Sequence, residues 1–296
     1  MAVAYESSST TVWTDLQSGG NLVIPKPTGL TVGDYMVAHL SGVVGGSPNA
    51  AGWDTLAGWT SLVDRGNSSN LNSSESMVVF YKIADSGDVA ATDFTFTKPS
   101  SDNAYNIGTI WRVSGATSIA ATSADTTDDT TPNFTNTITP SFENSLILFL
   151  VTSADADTGV NSVSGYAITN NNPSWTELYD VNIDESTGAD RGVHAGAYAS
   201  RTQNTATGDS TCVLSKTQNN SGAMIVLSPV VSPTITPTVL TVTASIQTPT
   251  VTGNATISPT VLTITATIQA PTINTPLPTW SNQTKNNSTW NNQDKT

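Results

Sequence analysis

Between Gly33 and Val113 the chain is a succession of short runs rich in β-branched and aromatic residues: GDYMVAHLSGVV, AGWTSLVD, MVVFYKIA, TDFTFT and IGTIWRVSG. Each run is bounded by Gly, Asp, Asn or Ser, which is how strands separated by turns read in sequence. No stretch sets apolar residues at helical spacing with a cap at both ends, so no helix is predicted. A chain written this way buries its apolar surface between sheets. The expected fold class is all-β, with jelly-roll-like antiparallel β-sandwiches.

The same order of pieces comes round again as NSLILFLVTS from Asn144, PSWTELYDV from Pro173, GVHAGAYAS from Gly192, STCVLS from Ser210 and SGAMIVLSPV from Ser221. Trp59-Thr60 and Trp175-Thr176 fall at the same place in both rounds, as do Tyr81 and Tyr198, and Gly108 and Gly222. Either a duplication or a single sandwich whose strands share a pattern accounts for this. Residues 1–116 are therefore assigned to a first unit and 117–230 to a second, or to the second half of one large sandwich. Before the first run, Thr11–Trp13 and Asn21–Ile24 are expected strands, ended by Pro25 and Pro27, which cannot donate to a ladder. Gly42–Gly58, Asn67–Glu75 and Thr117–Asn136 read as loops, the last joining the two rounds.

Near Pro229 the character changes. From Pro237 the chain reads PTVLTVTASIQTPTV, and from Pro259 it reads PTVLTITATIQAPTI, a 22-residue repeat with conservative substitutions. Apolar residues alternate with Thr, the period of an extended strand. Two copies cannot bury a core alone, and an uncharged strand edge invites pairing. Residues 231–275 are therefore expected to form an extended β-repeat arm, with Val239, Leu240, Val242, Ile246, Val261, Leu262, Ile264 and Ile268 as its assembly contacts. In the tail, 276–296, TWSNQTK recurs as TWNNQDK; Trp280 and Trp290 are expected to anchor it to a neighbour.

The chemistry on offer is sparse. Charged residues make up 11% of the chain and the net charge is −13, so there is no basic footprint for nucleic acid or an anionic membrane. His39 and His194 have no second ligand at metal spacing, and no G-x-S-x-G, P-loop or G-x-G-x-x-G occurs. No catalytic residue, cofactor or metal is assigned, and the chain is read as not an enzyme. Asp125, Asp128, Asp129, Asp155 and Asp157 could offer oxygens to calcium, but lack EF-hand spacing and read as solvated turns. The single cysteine, Cys212, is expected to be a small buried apolar group. Trp53, on the glycine-rich loop, is the candidate for stacking on a sugar, while the repeated positions of Trp59 and Trp175 point to core packing. The N-terminus has no basic leader or apolar run, and no segment is long and apolar enough to span a bilayer.

The series GDYMVAHLS, GWTSLVD, VVFYKIA, FTFT and IWRVSGA resembles β-sandwich domains of tailed-phage virion proteins, and the PTVLTVTASIQ repeats with the TW-NQ-K tail resemble C-terminal decorations of such proteins. The resemblance implies a virion structural role, as a capsid decoration, head fibre or tail-fibre-like component assembled in the host cytoplasm and released by lysis. Its partners would be other virion proteins, further copies of itself and host-surface glycan. The rival reading is a secreted carbohydrate-binding module or surface adhesin.

Overall fold

A computed structural model of the chain describes residues 3–229 apart from 17–19, 46–52, 55, 69–72, 98–103, 156–161, 185–190 and 216–217. The chain divides after Val230 into two units, 1–230 and 231–296. The arm and tail residues Val239 to Trp290 named above lie outside the described residues.

The first half of the larger unit supplies β1 (Ala4–Leu16), β2 (Asn21–Pro25), β3 (Tyr35–Gly45), β4 (Thr60–Ser68), β5 (Ser73–Ile83), a one-turn helix α1 (Ser86–Ala90), β6 (Asp93–Thr97) and β7 (Ala104–Ser114). The second half supplies β8 (Ala116–Asp129), β9 (Asn133–Phe134), β10 (Ser145–Asp155), β11 (Val163–Ile168), β12 (Thr176–Asp184), β13 (Arg191–Arg201), β14 (Ser210–Leu214) and β15 (Gln218–Pro229). Two five-stranded antiparallel sheets result, β1-β7-β3-β5-β4 and β12-β13-β10-β15-β8, with two small sheets, β2-β6 and β11-β14-β9. The fold is an all-β sandwich.

The burial pattern places each strand in its layer. Strands of the small sheets alternate: β2 and β6 bury every second residue, as a sheet with one wet face must. The middle strands of the large sheets carry unbroken apolar runs such as Met77–Phe80 and Leu146–Val151, all buried. A strand buried on both faces has no polar side to alternate with. One core lies between the large sheets and joins Val37, Val79, Trp111 and Val113 to Leu146, Leu148, Leu150 and Ile225. A second fills the space under β2-β6, with Leu22, Ile24, Phe94 and Phe96 over Ala38, Leu40, Phe80 and Ile110. A third fills the space under β11-β14-β9, with Phe134, Tyr166, Ile168 and Leu214 over Phe149, Val151, Ala195 and Met224. The layers run small sheet, large sheet, large sheet, small sheet.

The two halves share one strand order, β11 being an addition to the second. Thr60 pairs with Tyr81 and Thr176 with Tyr198, and both ladders carry a register shift directly afterwards. Tyr81 opposes Val37 and Tyr198 opposes Leu148; Gly108 opposes Leu40 and Gly222 opposes Val151. The glycines match for a packing reason. A Cβ at Gly108 would meet Leu22, Ile24 and Leu40, and one at Gly222 would meet the Phe134 ring. In each half the small sheet sits down onto a bare stretch of the large one. The central sandwich is made between the halves, one sheet from each, rather than inside either.

Four expectations are corrected. Gly42–Gly45, read as the start of a loop, is the end of β3 and pairs with Ser73–Ser76. Thr117–Asn136 is largely strand, not a linking loop, because β8 pairs with β15 from Ala116 to Asp129. The halves are joined instead at Gly115, whose φ of 72° turns the chain directly from β7 into β8. Asn67, Ser68 and Ser73–Glu75 extend the β4-β5 ladder. One helix does occur, α1, a turn held by a capping box in which Asp85 and Asp88 each accept the other's backbone N–H.

Candidate functional site

Along the gap between the large sheets the lining changes from apolar to polar. On β3 the inward residues run Tyr35, Val37, His39, Ser41; on β10 they run Leu146, Leu148, Leu150, Thr152; and all are buried. From other strands of the same two sheets come Thr109 and Trp111 on β7, Tyr179 on β12 and His194 on β13. The His39 and His194 rings stack with centroids 4.1 Å apart. His39 Nδ1 is 2.8 Å from Tyr179 Oη and its Nε2 is 3.0 Å from Thr152 Oγ1. Ser41 Oγ is 2.5 Å from Thr152 Oγ1 and 2.6 Å from His194 Nδ1, and His194 Nε2 is 2.9 Å from Thr109 Oγ1. Trp111 Nε1 donates to Tyr179 Oη over 3.2 Å, and Thr109 Oγ1 reaches Thr10 Oγ1 at 2.8 Å.

These contacts admit a head-to-tail assignment, Trp111 to Tyr179 to His39 to Thr152 to Ser41 to His194 to Thr109 to Thr10, with both imidazoles protonated on Nε2. Burial pushes His39 down to about 3 and His194 well below its ordinary value, with the neighbouring His39 adding to the latter. Both are neutral at pH 7. Enclosed and matched to hydroxyls, they tie one sheet to the other and are closed to a substrate.

Further along the gap, Glu75 is wholly buried. Its Oε1 lies 3.2 Å from Ser221 Oγ, whose single O–H donates to Asp125 Oδ1 over the shorter distance of 2.7 Å. Burial raises the Glu75 pKa well above the usual carboxylate range. Asp125 is tied to Arg65 at 3.5 Å, so this candidate for calcium is engaged in an ion pair across the two sheets. The Asp128, Asp129 and Asp155 side chains and Asp157 lie outside what is described. Among the described residues, no three His, Cys, Asp or Glu converge as metal ligands, and no helix is long and apolar enough to cross a membrane.

Trp53 is 6% exposed and packed in the core under β2-β6, so its indole offers no open face to a sugar. Trp59 is likewise core, edge-on to Phe94 and Phe96, and Trp175 packs beside Phe149. Cys212 is buried in the core under β11-β14-β9.

At the outer surface of the second half, the turn before β12 and the end of β13 enclose an open cleft of about 620 Å³. Its lining includes Asn171, Ser174, Tyr198, Thr202 and Gln203, and Arg201 forms part of its wall. Arg201 is 3% exposed. Its Nη1 donates to the Asn170 and Asn171 carbonyls, and its Nη2 to the Thr205 and Ala206 carbonyls and to Thr205 Oγ1. Nε is buried with no partner. No described carboxylate pairs with this guanidinium, and burial lowers its pKa.

The hydroxyl-imidazole chain and the Arg201 cleft were both missed in the sequence. A histidine within a strand reads the same whichever sheet face it takes, and an arginine at a strand end ordinarily marks a wet turn. The one usable signal was the matching of Tyr81 with Tyr198, which aligns Arg201 with Ala84.

Compared with known protein families, curated proteins and solved structures, the chain matches none.

Proposed function

We propose that the chain is a non-enzymatic structural protein of a tailed-phage virion, a capsid decoration, head fibre or tail-fibre-like component. In this reading residues 1–230 face outward and can meet host-surface glycan, while the repeats from Pro237 join other virion proteins or further copies of the chain. One observation carries it. A self-contained body ends at Val230, where the sequence passes into charge-free, threonine-alternating repeats that have no core of their own to make. The enclosed, neutral histidines support a structural rather than a catalytic body.

The test is a chain truncated before Pro237. It is expected to stay folded and soluble but to be lost from purified particles; incorporation at the full-length level overturns the role given to the repeats. The amide-lined cleft favours a second reading, a secreted carbohydrate-binding module or adhesin. Recovery of the chain from culture supernatant without particles would select that one.

A further inference from the structure

We propose that the cleft beside Arg201 is a binding site for a carboxylate-bearing saccharide. The proposal deepens the glycan-contact part of the reading above and rests on it.

The two halves make the argument. Tyr81 and Tyr198 are register equivalents, so Arg201 stands where the first half has Ala84. There the chain goes on into α1, and the nearby cation, Lys82, is neutralised by Asp88 at 2.6 Å and Asp85 at 3.4 Å. In the second half no helix follows β13, the cleft is open, and the cation at its wall has carbonyl partners but no carboxylate. A buried charge is normally paired. In a protein of net charge −13, a cleft with no acid in its lining and an unneutralised guanidinium in its wall attracts an anion. The rest of the wall selects the kind of anion. Asn171 and Gln203 offer amides, and Ser174 and Thr202 offer hydroxyls, the donor and acceptor mix that polyhydroxylated rings require. The volume admits sugar residues rather than a lone ion.

The experiment titrates full-length protein with oligogalacturonate and sialyllactose, each alongside its neutral methyl ester, and with acetate, followed by calorimetry and NMR shifts. Gln203→Glu and Thr202→Glu, both at exposed positions, place a competing carboxylate in the cleft without entering the core. At least one acidic saccharide is expected to bind, more tightly than its ester and than acetate, and to weaken at least about fivefold in either variant. Added salt should weaken it further. Absence of binding by both acids, equal binding of the esters, equal binding of acetate, or unchanged binding by both variants would each overturn the proposal. Any of these leaves the truncation test of particle incorporation unaffected, so the two readings fail separately.

Discussion

The first and second halves of the body use one strand order and close it off differently. In the first half the space outside the large sheet is covered by two matched strands. Leu22 opposes Phe96 and Ile24 opposes Phe94, so the lid rests on four side chains. In the second half β9 is two residues long, and Phe134 alone drops onto Gly222, with β11 added beside β14 to complete the cover. In the first half Lys82 pairs with Asp85 and Asp88 and Arg112 with Asp34, while the partly exposed Lys26 donates to the Val89 carbonyl. The second leaves Arg201 facing carbonyls. The shared strand order thus fixes the frame, and the differences concentrate where a face is free to acquire a new surface.

The asymmetry of the lids gives the largest expected effect. Phe134→Ala should cost about 3–5 kcal/mol, more than Leu22→Ala, because it removes the whole ring that seats on Gly222. Urea unfolding of the two variants checks this; equal midpoints would show that the ring's seat on Gly222 carries no extra stability.

Next comes pH, where each half contributes one histidine to the shared gap. An imidazole held at about 3 in the fold, against 6.5 when unfolded, gives stability that is complete above pH 6.5 and falls as pH drops toward 3. At pH 4.5 His39 alone should cost roughly 2–3 kcal/mol, with His194 adding in the same direction. Glu75 runs the other way. Its pKa is raised in the fold, so stability is lost as pH rises above the unfolded value near 4.5. Accordingly His39→Gln should flatten the loss between pH 7 and 4.5, and Glu75→Gln should gain stability at pH 8 while changing little at pH 4. Parallel pH profiles for wild type and both variants would remove the enclosed, neutral assignment of these groups.

A smaller difference separates the matched glycines. At Gly222 a Cβ meets Phe134 Cγ at 2.6 Å, close to the ring's attachment, whereas at Gly108 it meets the methyl tips of Ile24, Leu40 and Leu22. Gly222→Ala should therefore cost about 1–3 kcal/mol and Gly108→Ala less, by thermal unfolding. The reverse order would mean that the flexible tips have no room to swing. Last, Lys82→Met should cost about 1–2 kcal/mol, because it removes a largely buried contact to Asp88, which keeps the Asp85 backbone N–H, and a weaker one to the exposed Asp85; a larger loss would show α1 to be held on by that pair.

What the sequence revealed depended on how loudly each residue speaks. β3, β5, β10 and β15 were legible because their middles, buried on both faces, are apolar runs such as Met77–Phe80 and Leu146–Val151. β2 and β6 showed through alternation. β8 did not: ATSIAATSADTTDD carries small and hydroxyl residues because it is an edge strand, where Ile119 and Ala121 need fill only the margin of the core. Its propensity is that of a turn, and pairing with β15 overrides it. Trp53 was misread for the opposite reason. Its glycine-rich surroundings suggested a loop tip, whereas the indole folds back under the small sheet. The site was less legible than the fold because its parts are single residues, His39, His194 and Arg201, whose meaning comes from partners more than a hundred positions away or from backbone carbonyls that have no sequence signature.

The join at Gly115 carries a consequence for how such a body is made. Everything before that glycine has an inner wall of Val37, Val79, Trp111 and Val113 whose partners are translated later, the last of them Leu227. Until that point the nascent first half is sticky on one side, and a gene cut at Gly115 would give two fragments, each insoluble alone and each the template on which the other folds.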